Sequence, residues 1–207
     1  MLCRLILDRR ASSAAEFALV LPAALLLLFG IIDVGRYAWQ LNEYEKATQM
    51  GARHAVVTDV VSEALADEDL TWVGEPYCDG NCVAGQTISD ADALGTIVCS
   101  SASCSIDGNF PSGWTTAVDD EAFGSLVARM QQFQPRFTAA DVRVEYRGSG
   151  LGFAGDPNKP EVAPIVTVRV DNPQYDSLGL SLVGGTVPLP DFSYSLTLED
   201  GDGGASS

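Results

Sequence analysis

The chain has 207 residues, 46% of them of hydrophobic type, and a formal charge of −16 at neutral pH. That length suits one modest folded domain with additional segments. The acidity disfavours nucleic acid and anionic headgroups as partners and is read most simply as a solvated, soluble body.

Residues 1–11 form a basic leader, with Arg4, Arg9 and Arg10 set against Asp8, so the acidity lies beyond them. Phe17 to Ile32 then runs without a charge, and Ala14, Ala15, Val34, Gly35 and Tyr37 extend it on both sides. A helix needs about 20 mostly apolar residues to cross a hydrocarbon core of about 30 Å, and residues 12–38 provide them. Tyr37 and Trp39 stand where an aromatic belt forms, and Pro22 is expected to kink the helix without ending it. Basic residues before the span and acids after it predict a single pass, with the N-terminus cytoplasmic and the rest periplasmic or extracellular. A cleaved secretory signal fits less well, because the apolar run exceeds the usual h-region and no small-x-small site followed by a loop comes after it.

The acid near the start of this run, Glu16, needs an explanation. Ser13-Ala14-Ala15-Glu16 fits the capping box S/T-x-x-E, which would start a helix there and set the carboxylate at the positive end of its dipole. Beyond the span, Val34, Tyr37, Ala38, Leu41, Tyr44, Thr48, Ala52 and Ala55 recur at steps of three and four, forming one stripe. Residues 39–66 are therefore expected to continue the helix in amphipathic form, with the stripe regular to about Val57. Ala47, Gly51 and Ala55 add a ridge of small residues, suited to this protein's own sheet or to another helix.

Residues 67–118, rich in Gly, Ser, Asp and Asn, read as an irregular region pinned by cysteines. Cys78, Cys82, Cys99 and Cys104 form two close pairs. In an exported domain they are expected as disulfides, in any of three connectivities; in a reducing compartment the same spacing would suit a four-thiolate zinc site. Cys3 is left over on the cytoplasmic side as a plain thiol.

Residues 119–198 form the exported α+β region. A short amphipathic helix begins at Asp119, with Ala122, Phe123, Leu126, Val127, Met130 and Phe133 on one face and Pro135 as its stop. "DVRVEYRG", "APIVTVRVD" and "DFSYSLTLE" alternate as antiparallel strands separated by Gly-rich turns. Residues 199–207 read as a disordered acidic tail. The expected fold is α+β: a long N-terminal helix packed on a domain of one short helix and antiparallel strands.

The residue inventory does not favour an enzyme, and no catalytic residue, metal site, cofactor or small-molecule substrate is assigned. The single histidine, His54, lies beside Arg53 on the long helix, where a surface or packing role suffices. Gly150-x-Gly152-x-x-Gly155 follows a strand, but "DPNKPE" comes next and cannot open a helix over a pyrophosphate. Asp79-x-Asn81 and Asp200-x-Asp202 lack the closing Glu of a calcium loop.

Basic residues, a small-residue segment, an acid, an aromatic and an apolar helix that outlasts the membrane together resemble the leader of type IV pilins and pseudopilins. More narrowly, Glu16-Phe17-Ala18-Leu19, Pro22, Phe29-Gly30-Ile31-Ile32, Asp33 followed by Gly35-Arg36, and Gly51-Ala52-Arg53 resemble the TadE-like family of the tight-adherence (Flp pilus) machinery. The resemblance implies a minor pseudopilin and a pilin-like head on the helix. It implies cleavage by a prepilin peptidase between Ala11 and Ser12, leaving Glu16 and Phe17 as the fifth and sixth mature residues. Ala11 stands where such leaders usually carry Gly, and Asp33 where Glu is expected. Glu16 would meet the new amine of a neighbouring subunit, and Glu16, Asp33 and Arg36 would be the helix assembly positions. The implied partners are the lipid bilayer, other pilus-assembly subunits and the peptidase, and the implied home is a bacterial inner membrane. The alternative is an unprocessed single-pass protein whose exported domain binds an extracellular partner.

Overall fold

The apolar run and the amphipathic stripe belong to one helix, α1, spanning Arg9–Ala55. The computed structural model describes residues 9–66, 95–108, 115–149, 164–181 and 185–198. Pro22 lies within α1 without ending it. Ser13 and Glu16 also lie inside the helix, so the capping-box start is corrected: α1 is already formed at Arg9. The run of good helix formers around Ala11, Ala14 and Ala15 makes upstream propagation easy once the helix exists.

The helix does not continue to residue 66. It closes at Ala55, the Val56 amide still reaching the Ala52 carbonyl at 3.2 Å, and a separate short helix α2 follows at Glu63–Ala66. Between them, Val56, Val57, Thr58, Val60 and Val61 form a β-branched run that loses rotamer freedom in a helix and favours extended chain. Val60 and Val61 are buried there, and Ser62 bridges to Val118.

By contacts the chain divides into two units: Met1–Asn42 with Gln174–Leu189, and Glu43–Pro173 with Pro190–Ser207. The second holds an antiparallel five-stranded sheet. Its strands are β1 (Thr96–Cys99), β2 (Cys104–Asp107), β3 (Val142–Arg147), β4 (Ile165–Val170) and β7 (Phe192–Thr197), in the order β2-β1-β3-β4-β7. Helix α3, Asp120–Gln131, starts where the sequence places it: the Asp119 carboxylate accepts the amides of Glu121 and Ala122, both at 2.9 Å. Such an N-cap contributes about 1 kcal/mol.

The core of this unit follows from the alternation of β3 and β4. Val142, Val144 and Tyr146 on β3, and Val166, Val168 and Val170 on β4, are buried on one face. Leu126 and Met130 of α3 and Ala47, Thr48 and Ala52 of α1 are buried with them. A Cβ added to Gly51 would lie 2.8 Å from Met130 Cγ and 3.4 Å from Val168 Cγ1. The small-residue ridge of α1 is therefore filled by this protein's own sheet and helix. Tyr44 stacks on Phe192 at 5.6 Å and meets Phe137 edge-on at 5.0 Å. The buried Tyr146 hydroxyl accepts the Val61 amide at 3.0 Å, tying the link after α1 to β3.

Strands β1 and β2 correct the expectation of an irregular region over 67–118. Each has only four residues, too few for alternation to register; β1 pairs with β3 and β2 with β1, and that pairing is set by tertiary contact. Cys99 and Cys104 face each other across this hairpin and form a disulfide. Cys78 and Cys82, the leader residues 1–8 with Cys3, the Gly150–Gly155 motif, the two acidic pairs and the tail 199–207 lie outside the described residues.

In the first unit, β5 (Gln174–Tyr175) pairs with β6 (Val187–Pro188), and a one-turn helix α4 (Leu178–Ser181) lies in the segment joining them.

Candidate functional site

Two features of the first unit bear on function. The first is the bare apolar length of α1. Among the described residues one helix is long and apolar enough to cross a membrane, and its apolar window has no buried residue. Phe17, Leu19, Leu26 and Ile31 are all more than half exposed. A helix that is apolar on every side and uncovered by its own chain matches a hydrocarbon solvent better than water. Glu16 lies near the start of this run; Ala11 and Ser12 precede it in the same helix.

The second feature is the first acid after the run. Asp33 is half-buried, and both its carboxylate oxygens are occupied from the Gln174–Leu189 segment. Oδ1 accepts the Tyr175 hydroxyl at 3.0 Å and the Leu178 amide at 2.8 Å. Oδ2 accepts the Ser177 hydroxyl at 2.7 Å and the Gly179 amide at 3.1 Å. Tyr175 also reaches the Asp33 carbonyl at 3.0 Å. A carboxylate offers about four lone-pair sites, and here each has a donor. The two amides are the first of α4, which have no partner inside a one-turn helix. Asp33 therefore caps α4 from a position 145 residues away in the chain. Tyr37, one turn beyond Asp33, meets Tyr175 edge-on at 5.5 Å and seats the buried ring.

The three positions that the resemblance assigns to helix assembly are thus differently placed. Glu16 and Asp33 stand about 25 Å apart along the axis, too far to act on one contact. Arg36 is exposed, one turn after Asp33. The donors of Asp33 were not singled out in the sequence: "QYDSLG" shows a Ser before a short apolar turn, but nothing local marks what it would clasp.

The helix carrying these positions is also the part of the chain that compares with known proteins. Residues 11–53 match the TadE-like protein family model. No curated protein and no solved structure matches the chain. The TadE-like segment covers roughly a fifth of the chain and lies wholly within α1. It holds Ala11, Ser12, Glu16, Phe17, Asp33 and Arg36 together with the buried Gly51-Ala52. The family points to association with the tight-adherence pilus and with a membrane.

In the second unit, His54 Nε2 lies 3.3 Å from Ser125 Oγ. Ser125 also donates to the Ala122 carbonyl at 2.9 Å, as a serine on a helix commonly does. Burial, and then the Arg129 charge, lower the His54 pKa from its ordinary 6.5. The pair is a packing contact between α1 and α3. Lys46 and Arg129 both stand over the Phe133 ring, at 5.1 and 5.8 Å, and complete the polar border of that interface.

Proposed function

We propose that this chain is a membrane-anchored, non-catalytic assembly component of a tight-adherence (Flp-type) pilus, acting as a minor pseudopilin. The observation that carries the reading is that the TadE-like match, residues 11–53, includes the whole apolar part of α1 that the chain leaves uncovered. In this reading residues 12–38 hold the subunit in the inner membrane with Arg4, Arg9 and Arg10 on the cytoplasmic side. The domain beyond the span, pinned by its cysteines, is exported. A prepilin peptidase cuts between Ala11 and Ser12 and creates a positive amine at Ser12. Glu16 of one subunit then pairs with that amine on its neighbour. An intramembrane carboxylate costs up to about 3 kcal/mol even on insertion scales, and the pairing offsets this and sets the register of the two helices. Arg36, exposed on the far side of the span, is available to subunits or to lipid phosphates.

The test is the intact mass and N-terminal sequence of the protein taken from native membranes, beside a Glu16→Ala variant. A chain beginning at Ser12, with Glu16→Ala processed but not incorporated, supports the pseudopilin. A chain still carrying Arg9 and Arg10 returns Glu16 to a role in its own helix and favours an unprocessed anchored binding module.

A further inference from the structure

The Asp33 clasp has chemistry that a helix in water does not require. An exposed carboxylate is well served by solvent, whereas this one has a protein donor for every lone pair, immediately after the longest uncharged run in the chain. Full satisfaction matters most where water is scarce. Ser13 to Ile32 spans about 30 Å of helix, the thickness of a hydrocarbon core, so Asp33 falls at its edge. Gln174 and Asp176, both exposed in the same segment, keep it from entering the hydrocarbon itself. Leu178 is 41% exposed although its amide is anchored to Asp33, and Trp39 is 69% exposed two turns past the clasp. An apolar side chain, an indole and a cation, Arg36, at this depth are the groups that settle in a headgroup layer.

We infer that residues 174–179 form a membrane-surface foot, held by Asp33 against the headgroup layer of a phospholipid bilayer, with Leu178 as its lipid contact. Asp33 is its positioning residue. The foot fixes how deeply α1 sits, because the clasp cannot enter hydrocarbon and Leu178 resists leaving the interface. It places the water-side edge of the span at Ile32–Asp33, inside the 12–38 interval that composition suggests. The inference rests on the reading of α1 as a membrane span, and the experiment separates the two.

The full chain would be reconstituted in phosphatidylcholine vesicles with Trp39, Trp72 and Trp114 replaced by Phe. A single reporter is then introduced as Leu178→Trp or as Leu25→Trp, and quenched by lipids brominated either near the headgroup or near the acyl-chain end. Leu178→Trp is expected to be quenched more by the shallow bromine, and Leu25→Trp more by the deep one. Adding Asp33→Ala should abolish quenching at 178, leave quenching at 25 unchanged, and keep the amides of Val144 and Val168 protected from exchange. Asp33→Glu, which retains the acceptors, should restore part of it. No quenching at 178 with normal deep quenching at 25 overturns the foot and leaves the span intact. So does a 178 reporter that responds to a second copy of the chain but not to bromine. Quenching at 178 that survives Asp33→Ala overturns the role of the clasp. An unquenched reporter at 25 overturns the span and the foot together.

Discussion

The two ends of α1 are built from similar residues and face different surroundings. From Phe17 to Ile32 the helix is apolar on every side and none of it is covered by the chain. From Tyr44 to Ala55 only one stripe is apolar, and Tyr44, Ala47, Thr48, Ala52 and Ala55 of that stripe are buried. The sequence distinguishes them by periodicity alone: a continuous run for a solvent that surrounds the helix, a stripe for a core that touches one side of it. Hydrophobicity by itself does not stabilise the fold; where the residue is covered decides that. The first end contributes almost nothing to domain stability and much to placement. The second does the reverse.

The comparison is sharpest for leucine. Leu26 is 74% exposed on α1 and Leu126 is 1% exposed on α3. Leu126→Ala should destabilise the domain by about 2–5 kcal/mol, the cost of removing a core leucine and leaving a cavity. Leu26→Ala should leave domain unfolding unchanged and weaken membrane insertion by only a few tenths of a kcal/mol. Denaturant titration of both variants in one lipid or detergent system checks this. A large loss for Leu26→Ala would mean that the apolar run is covered after all.

The disulfide offers the next effect and marks a limit of reading the chain. Replacing Cys99 and Cys104 together by Ala opens a short loop and should cost about 2 kcal/mol, measured as a lowered unfolding midpoint against the oxidised protein. The cysteines were legible as candidate disulfides, but the strands that pair them were not. β3, β4 and β7 announce themselves by six-residue alternation, and α3 by its cap at Asp119 and its apolar steps. β1 and β2 have four residues each; β1 exists because β3 offers an edge, and β2 because β1 then offers another. The Asp33 clasp was half legible in the same sense. Asp33 stands out in the sequence through the TadE-like resemblance, while its partners lie more than 140 residues away and carry no pattern of their own. What sequence conceals here is what tertiary contact supplies.

Glycine repeats the comparison at smaller scale and with the sign reversed between the two ends. A Cβ on Gly30 would meet nothing within 4 Å, whereas on Gly51 it would lie 2.9 Å from Met130 Sδ. Alanine gains about 1 kcal/mol of helix propensity at either site. At Gly51 the overpacking cost of about 1–3 kcal/mol outweighs that gain, because Met130 is fully buried and must shift. Gly51→Ala should therefore lower the thermal midpoint slightly, and Gly51→Leu much further. Gly30→Ala should not lower it. If Gly51→Ala proved neutral, the flexible Met130 side chain would be absorbing the methyl, and Gly51→Leu would then measure how far it can move.

The smallest expected effect concerns pH and belongs only to the buried end of α1. His54 is half-buried against Ser125, and burial together with the Arg129 charge holds its pKa below 6.5 in the folded protein. The unfolded chain takes up a proton near its ordinary value, while the folded chain does so only at lower pH. As pH falls through that window the unfolded state binds more protons, so stability is lost until the folded imidazole is protonated too. His54→Gln keeps a polar partner for Ser125 and removes the proton uptake. Between about pH 7.5 and about pH 5.5 the variant should lose less stability than the parent, measured by thermal unfolding at both values. Acidic side chains contribute equally to both proteins and cancel in the difference. Equal losses would mean that His54 is no less ready to accept a proton in the folded state, and that the α1–α3 contact is more open to water than its packing indicates.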